Sequence, residues 1–214
     1  MTDNNVIPFN PLAKRHLGES VGQAMLRQPV IPISELQSFD GAGIYAIYYS
    51  GKFPGYEAIS IRNRNSLFTA PIYVGKAVPK GARKGGDLEA NPGKVLYNRL
   101  TQHTRSIEDA SNLDVADFHC RYLVVDDIWI PLGESLLIAK FGPLWNKLID
   151  GFGNHDPGKG RHAGLRPRWD VLHPGRSWAE RCQPREETAK QIIREASDYL
   201  RNNPPPENLL MTTA

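Results

Sequence analysis

The chain has 214 residues, a net charge of +3 at pH 7, and 40% hydrophobic against 23% charged residues. That length and balance suit one globular domain with extensions and exclude a disordered or fibrous chain. Two cysteines, Cys120 and Cys182, make neither a disulfide framework nor a metal cluster, and no leader or bilayer-length apolar run is legible, so a cytoplasmic protein without a membrane segment is expected.

Residues 1–39 read as a polar arm followed by a helix. Residues 16–28 place Leu17, Val21, Ala24, Met25 and Leu26 on an amphipathic turn pattern that stops at Pro29. After an extended stretch at 30–33 come Gly43-Ile44-Tyr45-Ala46-Ile47-Tyr48-Tyr49 and Pro71-Ile72-Tyr73-Val74-Gly75. Aromatic and β-branched residues bounded by Gly, Pro and Ser predict two short strands, neighbours in one sheet. Side chains two apart share a face, so Tyr45 goes with Ile47, and Ile44 with Tyr48. Paired strands would set Tyr45 and Tyr73 side by side, with both hydroxyls on one wall. Tyrosines in strands pack more often than they react, so these motifs alone decide little.

Residues 51–70, between the strands, are too many for a tight hairpin. They carry Tyr56, Arg62, Asn63 and Arg64, which suggests a functional insertion. Two later stretches concentrate positive charge. Residues 76–86 hold Lys76, Lys80, Arg83 and Lys84 with no acid; residues 151–176 hold Lys159, Arg161, Arg166, Arg168 and Arg176 against Asp156 and Asp170. Cations in glycine-rich loops with no apolar face suit a polyanion better than a membrane.

Residues 94–110 predict a helix with Leu96, Leu100, His103 and Ile107 on one face. Arg99 precedes His103 by one turn, which makes the two neighbours. A histidine in such a stripe is more often a satisfied core residue than a catalyst. An arginine beside it, costly to bury without an anionic partner, shifts that balance. Residues 117–125 predict a third strand, and Pro131 opens a helix that stops at Gly142-Pro143. On it Glu134 lies in line with Ile138 and Phe141; standing alone it would read as a first-turn acid favoured by the helix dipole. Asn146 follows in a loop, then the glycine-rich Gly151-Phe152-Gly153-Asn154-His155. Residues 185–202 predict a final amphipathic helix, and 204–214 a disordered tail.

The series GIY (43–45), YVG (73–75), Arg99 and His103 on one helix, Glu134 on the next, then Asn146 resembles the GIY-YIG nuclease superfamily over residues 40–155. Within it the chain is similar to the small type II restriction endonucleases that cut CCGCGG, on the stretches GAGIYAIYY, PIYVGKAVP, SNLDVADFHCR, PLWN and DGFGNH. It departs in having YVG for YIG and 28 positions between Tyr45 and Tyr73, more than the shortest members. The resemblance implies an α+β fold. Its core is a three-stranded antiparallel sheet flanked by helices, with N-terminal, inserted (51–70) and C-terminal (156–203) extensions.

It also implies Mg²⁺-dependent hydrolysis of double-stranded DNA by a homodimer, with no organic cofactor. Glu134 would ligate the metal, since Mg²⁺ uses few carboxylates and keeps waters. Arg99 suits non-bridging phosphate oxygens. Tyr45 would stand at the attacking water, where a phenol is a poor base unless cations lower its pKa. Tyr45, Lys76 and His103 all qualify as the formal base. Tyr73 would orient water or phosphate, and Asn146 would brace the site. Lys76, Arg83, Lys84 and Arg161 are the expected DNA contacts, chiefly to phosphate. A repair or homing nuclease and a non-catalytic DNA-binding domain are the alternative readings.

Overall fold

The computed structural model describes residues 10–79, 91–156, 158 and 163–206. Four strands, Ile31–Pro32 (β1), Gly43–Tyr49 (β2), Pro71–Ala77 (β3) and Phe118–Val124 (β4), form one antiparallel sheet in the order β1-β4-β2-β3. The α+β architecture is as expected, and the three predicted strands are joined by a fourth. That strand, β1, is two residues long and pairs Ile31 with Cys120. The helices are Lys14–Leu26 (α1), Glu57–Asn63 (α2), Val95–Asp109 (α3), Ile130–Phe141 (α4), Leu144–Lys147 (α5), Arg168–Leu172 (α6), Ser177–Glu180 (α7) and Ala189–Asn202 (α8). Among the described residues no helix is long and apolar enough to cross a membrane.

β2 is buried along its whole length because both of its faces are covered. Tyr45, Ile47 and Tyr49 point into a core with Leu96, Leu100 and Ile107 of α3, Trp145, Trp169 and Ile192. Ile44, Ala46 and Tyr48 point the other way, onto Met25, Leu26, Ile130, Leu137 and Phe141. Each such apolar side chain removed from water contributes roughly 1.5–3 kcal/mol. Helix α1 is therefore part of the second face. Its Gly18 and Gly22 are buried, and a Cβ on Gly133 of α4 would lie 2.7 Å from Val21 Cγ1, so the small residues set how closely the two helices approach.

Several boundaries differ from the sequence expectation. Asn146 lies in α5, a short helix entered from Pro143, and not in a loop. The last helix starts at Ala189, because Thr188 and Gln191 close a capping box there. Residues 51–70 are largely packed. Asn63, 1% exposed, donates to Tyr49 O and Ala70 O and accepts from Ala70 N at 2.8–3.0 Å, stapling the insert's two ends. Arg64–Leu67 is a continuous exposed run at its tip.

A buried polar chain ties the insert to the C-terminal extension. Trp145 Nε1 donates to Tyr56 Oη (2.9 Å), which meets His173 Nε2 (2.8 Å). His173 Nδ1 in turn meets Asn112 Oδ1 (2.9 Å). The amide oxygen only accepts, so the imidazole carries its proton on Nδ1 and takes the Tyr56 proton at Nε2. Burial pushes the His173 pKa down to about 3. The unfolded chain therefore binds a proton that the folded one refuses. Stability is full above about pH 6.5 and falls as pH drops from there toward 3, by up to about 1.4 kcal/mol per pH unit. Melting temperatures measured across that window are expected to fall with pH, and His173→Gln to flatten part of the slope; an unchanged slope would mean that His173 is not buried neutral.

Candidate active site

The register of β2 on β3 pairs Tyr45 with Gly75 and Ile47 with Tyr73. The two tyrosines are thus diagonal neighbours on one face, ring centroids 6.2 Å apart, and not directly opposed. The motif glycines answer to space. A Cβ on Gly75 would lie 2.4 Å from Tyr45 Oη, and one on Gly43 1.9 Å from Leu123 O. Either would push apart groups that the sheet holds together.

From α3, Leu96, Leu100, His103 and Ile107 are buried, as their spacing predicts. His103 Nε2 stands 2.6 Å from Tyr45 Oη. Burial pushes the Tyr45 phenol well above its ordinary value, Tyr73 adds to the shift, and Arg99 pulls against it. Burial likewise holds the His103 imidazole well below its usual range, with Arg99, His155 and Arg176 adding to the effect. Desolvation therefore outweighs the nearby cation at Tyr45, so the lowering that a phenol base would need is not met, and both partners are neutral near pH 7. Tyr45 is also 0% exposed. Tyr73, partly exposed, is the phenol that reaches the surface; burial raises it too, Arg99 lowers it and Glu134 raises it.

Arg99 is half-buried. It donates through Nη2 to Gly153 O (2.9 Å) and through Nη1 to His155 Nε2. The protein itself supplies these acceptors, so the cost of placing a cation beside the stripe is met in part before any substrate arrives. The other face of β3 completes the site. Alternation turns Lys76 away from Gly75, and its Nζ meets Glu134 Oε2 at 2.6 Å, the side chains 34% and 17% exposed. Glu134 is in the second turn of α4, beside the buried line Ile130, Gly133, Leu137, Phe141. That corrects the first-turn position, while Glu134 stays in line with Phe141 seven residues on. Glu134 nonetheless raises the pKa of both Tyr45 and Tyr73, so the two halves of the site are in electrostatic contact around the free edge of β3.

Asn146 acts on that edge. Its Oδ1 accepts from Val74 N and its Nδ2 donates to Val74 O, both at 2.8 Å. One side chain thus replaces the missing neighbouring strand and pins α5 to β3. Among the described residues no group of three or more His, Cys, Asp and Glu could hold a metal ion. A lone, partly exposed carboxylate already facing a cation fits Mg²⁺, which retains waters and takes substrate oxygens.

Sequence reasoning missed the loop after α5. Phe152 stacks on His103 (4.4 Å, 16°) and meets Tyr73 edge-on (5.0 Å). Gly153 and His155 hold Arg99. The glycine-rich run was legible, but not what it touches. Of the expected DNA contacts, Arg83, Lys84 and Arg161 lie outside the described residues. The expectation that residues 151–176 offer free cations is corrected for the described ones. Arg166 donates to Ala179 O and Glu180 O, Arg168 pairs with Glu195, and Arg176 is buried against Asp170.

A three-layer α+β domain that brings two motif tyrosines, a histidine, an arginine and a glutamate to one sheet edge has the organisation of a GIY-YIG nuclease. Residues 37–200 match the family model described as the Eco29kI GIY-YIG domain. The chain belongs to that restriction endonuclease family, and is thus a nuclease that binds DNA. A comparison with curated proteins finds no match.

Gly75→Ala tests the geometry. Its methyl has no room beside Tyr45, so a stability loss of about 1–3 kcal/mol is expected in thermal unfolding, together with loss of cleavage. An unchanged melting temperature would place Tyr45 Oη elsewhere.

Proposed function

We propose that the protein hydrolyses phosphodiester bonds in double-stranded DNA at a specific palindromic site, CCGCGG, with Mg²⁺ and as a homodimer. The observation that supports this most is the meeting of Tyr45, Tyr73, Arg99 and His103 with Lys76 and Glu134 around the terminal strand of the sheet.

Tyr45 and His103 work as one base. The proton of the attacking water passes by way of the more exposed Tyr73 to Tyr45, as Tyr45 passes its own across the short hydrogen bond to neutral His103 Nε2. No free phenolate has to exist in a site that would penalise it. Tyr73, on the open side, orients the water. Arg99 turns donors from His155 to the non-bridging phosphate oxygens, where its planar fork needs no change of protonation. Glu134 holds the Mg²⁺, which when bound stabilises charge on the pentacovalent transition state and the leaving oxygen. Lys76, released from Glu134, contacts phosphate, and Asn146 keeps β3 in place.

Base reading falls to arginine or lysine in the major groove. Exposed Arg64 at the tip of the insert is available for it, and Arg83, Lys84 and Arg161 are assigned to the DNA backbone. The CCGCGG target rests on the sequence resemblance. A palindrome read by chains with one site each calls for a two-fold pair.

Purified protein incubated with Mg²⁺ and unmethylated plasmid should give fragments whose sequenced ends share one palindromic site. Random ends, or equal cutting in EDTA, would remove the specificity or the metal. Glu134→Ala should bring cleavage to background while DNA binding holds or tightens, since a carboxylate near phosphate is repulsive without metal; cleavage at the wild-type rate would take Glu134 out of the metal role. Tyr45→Phe keeps the ring but leaves His103 Nε2 without its donor. Cleavage should fall by about a hundredfold or more, and a near-normal rate would return Tyr45 to a packing role.

A further inference from the structure

Arg176 and Asp170 lie in the C-terminal extension and are each 3% exposed. Arg176 Nε and Nη2 donate to the two oxygens of Asp170 at 2.7 and 2.6 Å. The remaining donors go to backbone: Nη2 to Gly151 O (2.9 Å), and Nη1 to Phe152 O and Asn154 O (both 3.2 Å). The guanidinium also lies over the rings of Trp169 and Trp178, 4.5 and 4.8 Å from their centroids. Three of four successive carbonyls in the loop thus face one buried cation. The fourth, Gly153 O, accepts from Arg99. The same loop stacks Phe152 on His103 and sets His155 against Arg99.

A bare hydrophobic plug would fill this space without a buried ion pair, whose desolvation cost makes it a poor stabiliser. What the pair supplies is direction. A bidentate fork fixed by one carboxylate fixes in turn the plane of every carbonyl it donates to. We infer that Arg176, anchored by Asp170, is a positioning residue for the nuclease reaction: it clamps the Gly151–His155 loop so that the loop holds Arg99 and His103 at their working angles. The inference rests on the roles given above to those two residues.

Arg176→Lys keeps the charge but cannot serve a carboxylate and three carbonyls at once. Asp170→Asn, closer to isosteric, frees the fork by half and serves should the lysine variant not fold. Each is compared with Ile192→Val, a core change on α8 outside the loop and the Arg176–Asp170 pair, at matched folded fraction. The clamp variants should cut plasmid at least about tenfold more slowly than that control, as small misplacements of reacting groups do. Side-chain ¹⁵N–¹H resonances of His103, set by the stacked Phe152 ring, should shift in both clamp variants and not in Ile192→Val. Combined with Arg99→Lys, Arg176→Lys should cost less than it does alone, because part of the loop's effect runs through Arg99. Rates equal to the control, losses that multiply with Arg99→Lys, or an unmoved His103 resonance would each overturn the clamp. Should wild type fail to cut, or Arg99→Ala cut normally, the reading of the site fails instead, and the His103 resonance still decides whether the loop is held by Arg176.

Discussion

Tyr45 stands across from Gly75 on the β2–β3 ladder, and that register is the constraint on which the site depends. Strand side chains alternate, so a slip of one residue would turn Tyr45 and Tyr73 into the α1–α4 layer and Lys76 toward α3. Burial of both faces of β2 prevents the slip, since it would carry Ile44, Ala46 and Tyr48 into the wrong core. The two motif glycines then follow from space. Each marks a point where the chain passes a group too close for a Cβ.

Burial also decides the electrostatics. A phenol pushed up and an imidazole pushed down, 2.6 Å apart, form a neutral pair at rest; passing a proton on to His103 avoids a buried phenolate and leaves the charge on the imidazolium. Arg99 escapes the same penalty by staying half-exposed and by finding a carbonyl and an imidazole from the loop. Glu134 and Lys76 escape it by pairing at the rim. The apolar face of the sheet therefore carries the proton-handling groups, and the free edge carries the charges.

That edge needs support because β3 has no strand beyond it. Asn146 supplies one peptide-like pair to Val74, and the extension from Arg168 onward packs behind the loop that carries Phe152 and Gly153. The polar chain Trp145–Tyr56–His173–Asn112 ties that extension to the insert and to the end of α3. Segments remote in the chain thus act on the same few angles at Arg99 and His103.

Local pattern was enough for the strands β2, β3 and β4, for the buried stripe of α3, and for the identity of the motif residues, because each of these depends on spacing within one element. It also sufficed for membership of the nuclease family, which rests on the order of short motifs. Tertiary structure alone decided the rest. Whether Tyr45 is acidified or sealed depends on how much protein covers it. Whether Arg166, Arg168 and Arg176 face DNA or their own chain depends on partners far away in sequence. Glu134 and Lys76 became a pair only when α4 crossed the edge of β3. Desolvation and pairing act over a few ångströms in space, and a one-dimensional charge count has no access to those distances.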